Sequence, residues 1–340
     1  MRSPRKYTRR RLLGVAAGAG IAGVSGSLFA ATRRASAPSD AASASAEGVL
    51  NAAVPDSVRV IHGPSMVEVA PVQPSPPPAV RPRGREDLLL MAGTEWEAQG
   101  TIHHSGVLGP RVMVLGGVHG NEPGGWMGAE AVANWEVRRG SLIVLPRLNW
   151  RAAAAFERTL DGFGDLNRLY PGHPEGLPMA RMAAEVTAIA QFWRPLFLWD
   201  MHESWGFFNE RGENGGTAFI GQTVTTADTP GGAVVEDVVR RVNGAVAERE
   251  AFSMRSRPGG VFGSGGSNDP VPNRTPTPEE LAMRTLPDGT RGSSSLSMGR
   301  CVSGVSPVLV EMGQMNQPEE RRSELHQLLM RELLTDLRMV

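Results

Sequence analysis

Four short apolar runs, at residues 112–115, 142–145, 196–199 and 308–310, are each flanked by Gly or Pro, and they constrain this chain more than any other feature. Runs this short with no polar alternation suit strands buried on both faces in the middle of a sheet. Helical patterns lie between and after them at 122–135, 179–193, 232–249 and 318–337. The last opens Pro318-Glu319-Glu320, a favourable first-turn composition. Alternation of strands with helices predicts an α/β sandwich. One long segment, 253–306, resists the pattern. It is crowded with Gly, Ser, Pro and Arg, and only 278–284 reads as helical. A loop of that length is expected to be a functional lid or disordered. No internal repeat is present.

At 340 residues and 41% hydrophobic content, the chain can bury a sizeable core. Its formal charge is zero but unevenly placed. Residues 1–37 carry Arg2, Arg5, Lys6, Arg9, Arg10, Arg11, Arg33 and Arg34 and no acidic side chain, so the remainder is acidic. An acidic body repels phosphate backbones, which argues against nucleic acid as a partner. The basic stretch runs into residues 12–31, a Gly- and Ala-rich apolar segment, and then into small residues, as an export signal does.

Thr8-Arg9-Arg10-Arg11-Leu12-Leu13 resembles a twin-arginine signal, which implies passage through the Tat translocase in folded form and an exported location, periplasmic or extracellular. The alternative is an uncleaved anchor. Five glycines and two serines in the segment weigh against it, so no stable membrane span is expected after cleavage. We assign 1–46 to the signal and its cleavage region, 47–87 to a Pro/Ala-rich linker, and 88–340 to one folded domain. Cys301 is the only cysteine, so no intrachain disulfide can form.

The chemistry-bearing residues follow the predicted strands. Residues 112–115 lead through Gly116-Gly117-Val118 to His119-Gly120-Asn121-Glu122 at the start of a helix. Across a tight turn, residues three apart can aim an imidazole and a carboxylate at one point. Catalytic zinc takes three such ligands and keeps one position open. His202, in Asp200-Met201-His202 past the third strand, is the natural third ligand. Asp200 either holds the imidazole or caps the strand. A zincin helix starting at His202-Glu203 is excluded, because Gly206 stands where the second histidine would be.

Pro307-Val308-Leu309-Val310-Glu311 ends a strand in a carboxylate that can move a proton between water and a leaving nitrogen. Asp165-Leu166-Asn167-Arg168-Leu169-Tyr170-Pro171-Gly172 offers an arginine fork with an amide beside it, suited to a substrate carboxylate. The alternative for Arg168, and for the preceding Arg158, is a salt-bridged loop. His103 and His104 read as surface or loop residues. His173 reads as a solvated loop residue near the anion site. Glu203, Trp205, Phe207 and Phe208 suit a pocket lining, and core packing accounts equally well for the three aromatics.

The ordered set Gly116-Gly117-Val118-His119-Gly120-Asn121-Glu122, Asp165-Leu166-Asn167-Arg168, Asp200-Met201-His202 and Val310-Glu311 resembles the succinylglutamate desuccinylase/aspartoacylase family, related to the zinc carboxypeptidases. The similarity runs over about 106–337. It implies a carboxypeptidase-like three-layer α/β/α sandwich around a mixed, mainly parallel eight-stranded sheet. It also implies one zinc ion on His119, Glu122 and His202, with Glu311 as general base and acid. In the same way Asn167 and Arg168 would hold a substrate carboxylate, and Arg158 would polarise the scissile carbonyl. Two departures stand out. Only 29 residues follow Glu311, where aspartoacylase-like members continue into a β-rich domain, and Tyr7 and Tyr170 are the only tyrosines available for a carboxypeptidase's mobile-tyrosine role.

The expected function is therefore an exported zinc hydrolase cleaving an amide bond of a carboxylate-bearing substrate, of the acyl-amino-acid deacylase type. Alternatives are a zinc carboxypeptidase or cell-wall peptide amidase, and a catalytically silent exported binding protein.

Overall fold

The computed structural model describes the backbone of residues 59–62 and 65–66, and residues 80–227, 229–257, 289 and 292–340. The export signal, most of the 47–87 segment and the 278–284 helical pattern lie outside the described residues. Among the described residues, no helix is long and apolar enough to cross a membrane.

The strands are β1 (Arg59–His62), β2 (Ser65–Met66), β3 (Gly84–Leu90), β4 (Ala98–His104), β5 (Arg111–Leu115), β6 (Ser141–Leu145), β7 (Phe197–Ser204), β8 (Thr223–Ala227), β9 (Ser253–Arg257) and β10 (Ser306–Gly313). They form one sheet in the order β2-β1-β3-β4-β6-β5-β7-β10-β8-β9. The four apolar runs become β6, β5, β7 and β10, adjacent and mutually parallel at its centre. Every residue of β6, β7 and β10 is buried, as their unbroken apolar character requires. The strands β3 to β10 make the mixed eight-stranded sheet, four of whose seven pairings are parallel. The pair β1 and β2 extends one edge from within the Pro/Ala-rich 47–87 segment.

Helices cover both faces, giving the three layers. Side chains of β5, β6 and β7 alternate between two cores. Met113, Leu115, Ile143 and Leu198 pack with α3 (Pro178–Trp193). Val112, Val114, Leu142, Trp199 and Met201 join Val308 and Val310 of β10 against α1 (Pro123–Val132), α5 (Gly232–Asn243) and α7 (Glu319–Asp336). Short helices α2 (Trp150–Ala155), α4 (Phe208–Arg211) and α6 (Met298–Cys301) fill connections.

The outer strands depart from the sequence expectation. Half of β3 is exposed in alternation, and β4 is only partly apolar, so neither shows an unbroken run. His103 and His104 are not surface or loop residues but lie in β4. His104 is buried with Nδ1 2.7 Å from Ser141 Oγ, and His103 Nε2 lies 2.8 Å from Ala133 O.

Helix α1 packs tightly against β7 and α7 through glycine. A Cβ added at Gly125 would stand 2.6 Å from Met201 O, and one at Gly128 would stand 3.0 Å from His326 Cβ. The Met201 carbonyl belongs to a fully buried central strand and cannot withdraw. Gly125→Ala is therefore expected to lower stability by about 1–3 kcal/mol through overpacking, outweighing the ~1 kcal/mol that alanine gains in helix propensity. Urea unfolding checks this, with a lower midpoint at unchanged slope.

Candidate metal centre

The centre lies at the carboxyl ends of β5, β7 and β10, where open α/β sheets place their sites. Past Leu115 the chain stays hydrogen-bonded to β6 through Gly116 N, 2.9 Å from Leu145 O. It then turns at Gly117, whose φ of 63° lies in the left-handed region that glycine occupies without penalty. This turn brings His119 back over the strand ends. Glu122 is the residue before α1, and Pro123 starts the helix, where its missing N–H costs nothing. The Glu122 carboxylate accepts instead from Glu203 N at 3.0 Å, tying the ligand turn to β7.

Within β7, Asp200 and His202 share one face by the two-residue alternation of a strand, and Glu203 faces the other way. His202 Nδ1 is 2.9 Å from Glu122 Oε2 and 3.1 Å from His119 Nδ1, and His119 Nδ1 is 2.6 Å from Glu122 Oε1. His119, Glu122 and His202 are all buried, with their ligand atoms within 4.8 Å of one another, and form a group that could hold a metal ion. The donor set fits one. Two imidazole nitrogens and both oxygens of one carboxylate, all on buried side chains, lie 2.6–3.1 Å from one another. Only a shared proton or a cation can satisfy that many lone pairs.

The surroundings supply matching charge. Asp200 Oδ2 stands at ion-pair distance, 3.0 Å, from His202 Nε2. Asp165 Oδ1 stands 3.1 Å from His119 Nε2 and accepts from Asn167 N at 3.0 Å. Its Oδ2 accepts from Arg158 Nη2 at 3.1 Å and Nε at 3.3 Å, and Arg158 Nη1 reaches Glu122 Oε1 at 3.4 Å. Each ligand imidazole is thus backed by a carboxylate on its far nitrogen, which orients the ring and raises its basicity.

Burial opposes ionisation of Glu122, but His119 and His202 outweigh it and hold the carboxyl well below its ordinary range. Asp165 is likewise desolvated yet held well below its ordinary range by Arg158 and His119. Burial disfavours the charged form of His202, but Asp200 and Glu122 raise it well above the ordinary imidazole value.

Glu311 pairs in register with His202 across β10 and β7, so the two side chains project from neighbouring positions. Its Oε2 is buried with no hydrogen-bond partner. Burial pushes this carboxyl up to about 8, with His202 pulling against the rise. A desolvated, unsatisfied carboxylate is a strong base awaiting a proton donor.

The structure brings His119, Glu122, His202, Glu311, Arg158 and Asp200 together. Asn167 is fixed nearby, its Oδ1 accepting from Ser295 N at 3.3 Å, which leaves its amide nitrogen as a donor. Arg168 donates Nη1 to Asn167 O at 2.9 Å, and its charge reaches Asp165. His173 accepts from Glu175 N within its own loop. Phe207 is buried, whereas Trp205 is 58% exposed.

Asp165 was within the quoted motif but received no role. Its signal was position: an acidic residue two before Asn167 holds the 3-10 turn Leu166–Arg168 as its N-cap. Glu203, expected to line a pocket, instead turns away from the centre. It is a buried ion-pair member on the opposite face of β7.

Residues 108–204 match the family model for the succinylglutamate desuccinylase/aspartoacylase catalytic domain. This bears out the resemblance read from the motifs, and the matched segment contains all three residues of the metal-competent group. No curated protein matches the sequence. Among solved structures, product-bound cell shape determinant protein Csd4 from Helicobacter pylori aligns with a TM-score of 0.51 at 15% identity, over 68% of this chain and 52% of that one. The mDAP-bound form of Csd4, a D,L-carboxypeptidase, aligns with a TM-score of 0.51 at 16% identity over the same shares. Succinylglutamate desuccinylase/aspartoacylase from Rhodobacter sphaeroides gives 0.51 at 16% identity, over 76% of this chain and 67% of that one. These likenesses establish the shared α/β fold, and the chain spans about half the length of Csd4.

Asp165 makes a prediction of its own. Asp165→Ala releases His119 Nε2 and one side of Arg158, so affinity for added zinc should fall about tenfold to a hundredfold. Competition against a chromophoric chelator measures this, and wild-type affinity in the variant would show that the carboxylate does not support the ligand.

Proposed function

We propose that this chain is an exported, zinc-dependent hydrolase that cleaves an amide bond in a carboxylate-bearing substrate, of the acyl-amino-acid deacylase type. The observation that carries the reading is the convergence of His119, Glu122 and His202 on one point, with the unsatisfied Glu311 carboxyl in register beside His202. Zinc held by those three residues would supply Lewis acidity toward the scissile carbonyl and toward water. Export rests on the Thr8-Arg9-Arg10-Arg11-Leu12-Leu13 signal and would use the Tat translocase.

The chain's own groups divide the remaining work. Glu311 Oε2 takes the proton of the attacking water and passes it to the departing nitrogen, a role that its buried, unsatisfied place in register beside His202 supports. Arg158 is held by Asp165 and Glu122 at the edge of the cluster, and its guanidinium stabilises charge that develops on the carbonyl oxygen. The Asn167 amide and the Arg168 guanidinium hold the substrate carboxylate.

A peptide substrate, as for a carboxypeptidase or a cell-wall peptide amidase, is the second reading. The structural likeness to Csd4, a D,L-carboxypeptidase, is what supports it.

Metal content and hydrolysis of acyl-amino acids, dipeptides and muropeptides, compared among wild type, His119→Ala and Glu311→Ala, test the mechanism. One zinc per chain in wild type, its loss in His119→Ala, and a kcat at least about a hundredfold lower in zinc-loaded Glu311→Ala are expected. Full activity in Glu311→Ala would overturn it. Arg168→Ala should mainly raise KM on carboxylate-bearing substrates, the signature of binding shared by ground and transition states. Release of a free C-terminal residue from peptides would select the second reading.

A further inference from the structure

Behind the metal-competent cluster, on the opposite face of β7, lies a buried polar network to which no role is yet assigned. The Glu203 side chain is fully buried, and its Oε1 accepts from Arg322 Nε of α7 at 2.8 Å. Its Oε2 accepts from Gln314 Nε2 at 3.0 Å. The same Gln314 nitrogen donates to Asn121 O at 3.0 Å, in the middle of the ligand turn. Gln314 is itself anchored by its main chain, with N 2.9 Å from Ser204 O. Arg322 also donates to Gln317 O, which closes the turn after β10 onto the start of α7.

Burying an ion pair seldom adds net stability, because desolvation cancels most of the attraction. Its location is informative instead. The ligand turn is held at three successive residues: Gly120 N donates to Arg158 O at 3.2 Å, Asn121 O accepts from Gln314, and Glu122 accepts from Glu203 N. Glu203 thus grips the turn twice, once by its main chain and once through Gln314. The glycine at 124 leaves the space that the network fills, since a Cβ there would overlap Glu203 Oε1 and stand 2.5 Å from Arg322 Cβ.

We propose that Gln314 and Glu203 are positioning residues for the metal centre, resting on the metal reading above. Through the Asn121 carbonyl they fix the peptide between His119 and Glu122 and so set the aim of both ligands. Neither residue touches the substrate or the reacting atoms.

Gln314→Met in the full chain tests this, because it conserves volume, removes both side-chain hydrogen bonds and leaves the Glu203–Arg322 pair in place. Zinc dissociation constants by chelator competition, the visible spectrum of the cobalt-substituted protein and the melting temperature of the metal-free protein are compared with wild type. The expected result is zinc binding about tenfold or more weaker and a shifted cobalt spectrum, with a metal-free melting temperature within about 3 °C of wild type. A purely structural role would instead lower the melting temperature and leave affinity and spectrum unchanged. Glu203→Gln, which keeps the side-chain shape, puts the same question from the other end of the link. Weakened zinc binding with a shifted spectrum in either folded variant supports the inference, and wild-type values in every folded variant overturn it. Wild-type protein that binds no zinc would overturn the metal reading itself, and this inference with it.

Discussion

The parallel pairing of β7 with β10 determines what this molecule can do. With Ser306 opposite Phe197 and Gly313 opposite Ser204, Glu311 falls beside His202 on the same face of the sheet. Strand side chains alternate, so a slip of one residue would turn Glu311 into the core and send Met312 into the centre. The register is protected by burial on both sides. Val308 and Val310 pack beneath α5 and α7, and their alternates Leu309 and Glu311 face the other layer. The same frame places Leu115 of β5 opposite Asp200, so the glycine turn that follows begins level with the strand residues it must meet.

Charges are concentrated here beyond what a stable core would choose. Glu122, Asp165, Asp200, Glu203 and Glu311 are carboxyl groups within or against the centre, met by Arg158, Arg322 and two imidazoles. Most of these groups are held by a specific partner, whereas Glu311 Oε2, both Asp200 oxygens and His202 Nε2 are buried without a hydrogen bond, Asp200 and His202 meeting only at ion-pair distance.

Legibility in the sequence follows the physics of burial. The central strands could be read because burial on both faces demands unbroken apolar runs, and three of the four, β5, β7 and β10, lead into polar residues of the cluster. His119, Glu122, His202 and Glu311 therefore stood out as an ordered set by residue type and spacing, together with the family resemblance. The edge strands could not, because β3 alternates with solvent, β8 is Thr-Val-Thr-Thr-Ala, and β9 carries Ser and Arg. The support for the ligands was harder still to see. Asp165 is separated from His119 by 46 residues and Gln314 from Asn121 by 193, and no local pattern encodes a partner that distant.

That last separation has a consequence for the order in which the molecule comes into being. Chains emerge from the ribosome at about 5–20 residues per second, so Asn121 leaves some 10–40 seconds before the glutamine that will hold its carbonyl. During that interval the residues from His119 to Glu203 become available, and the turn has only two of its three holds, Arg158 O and Glu203 N. Glu311 and Gln314 emerge after every other residue of the cluster, so the centre closes only when β10 has paired with β7.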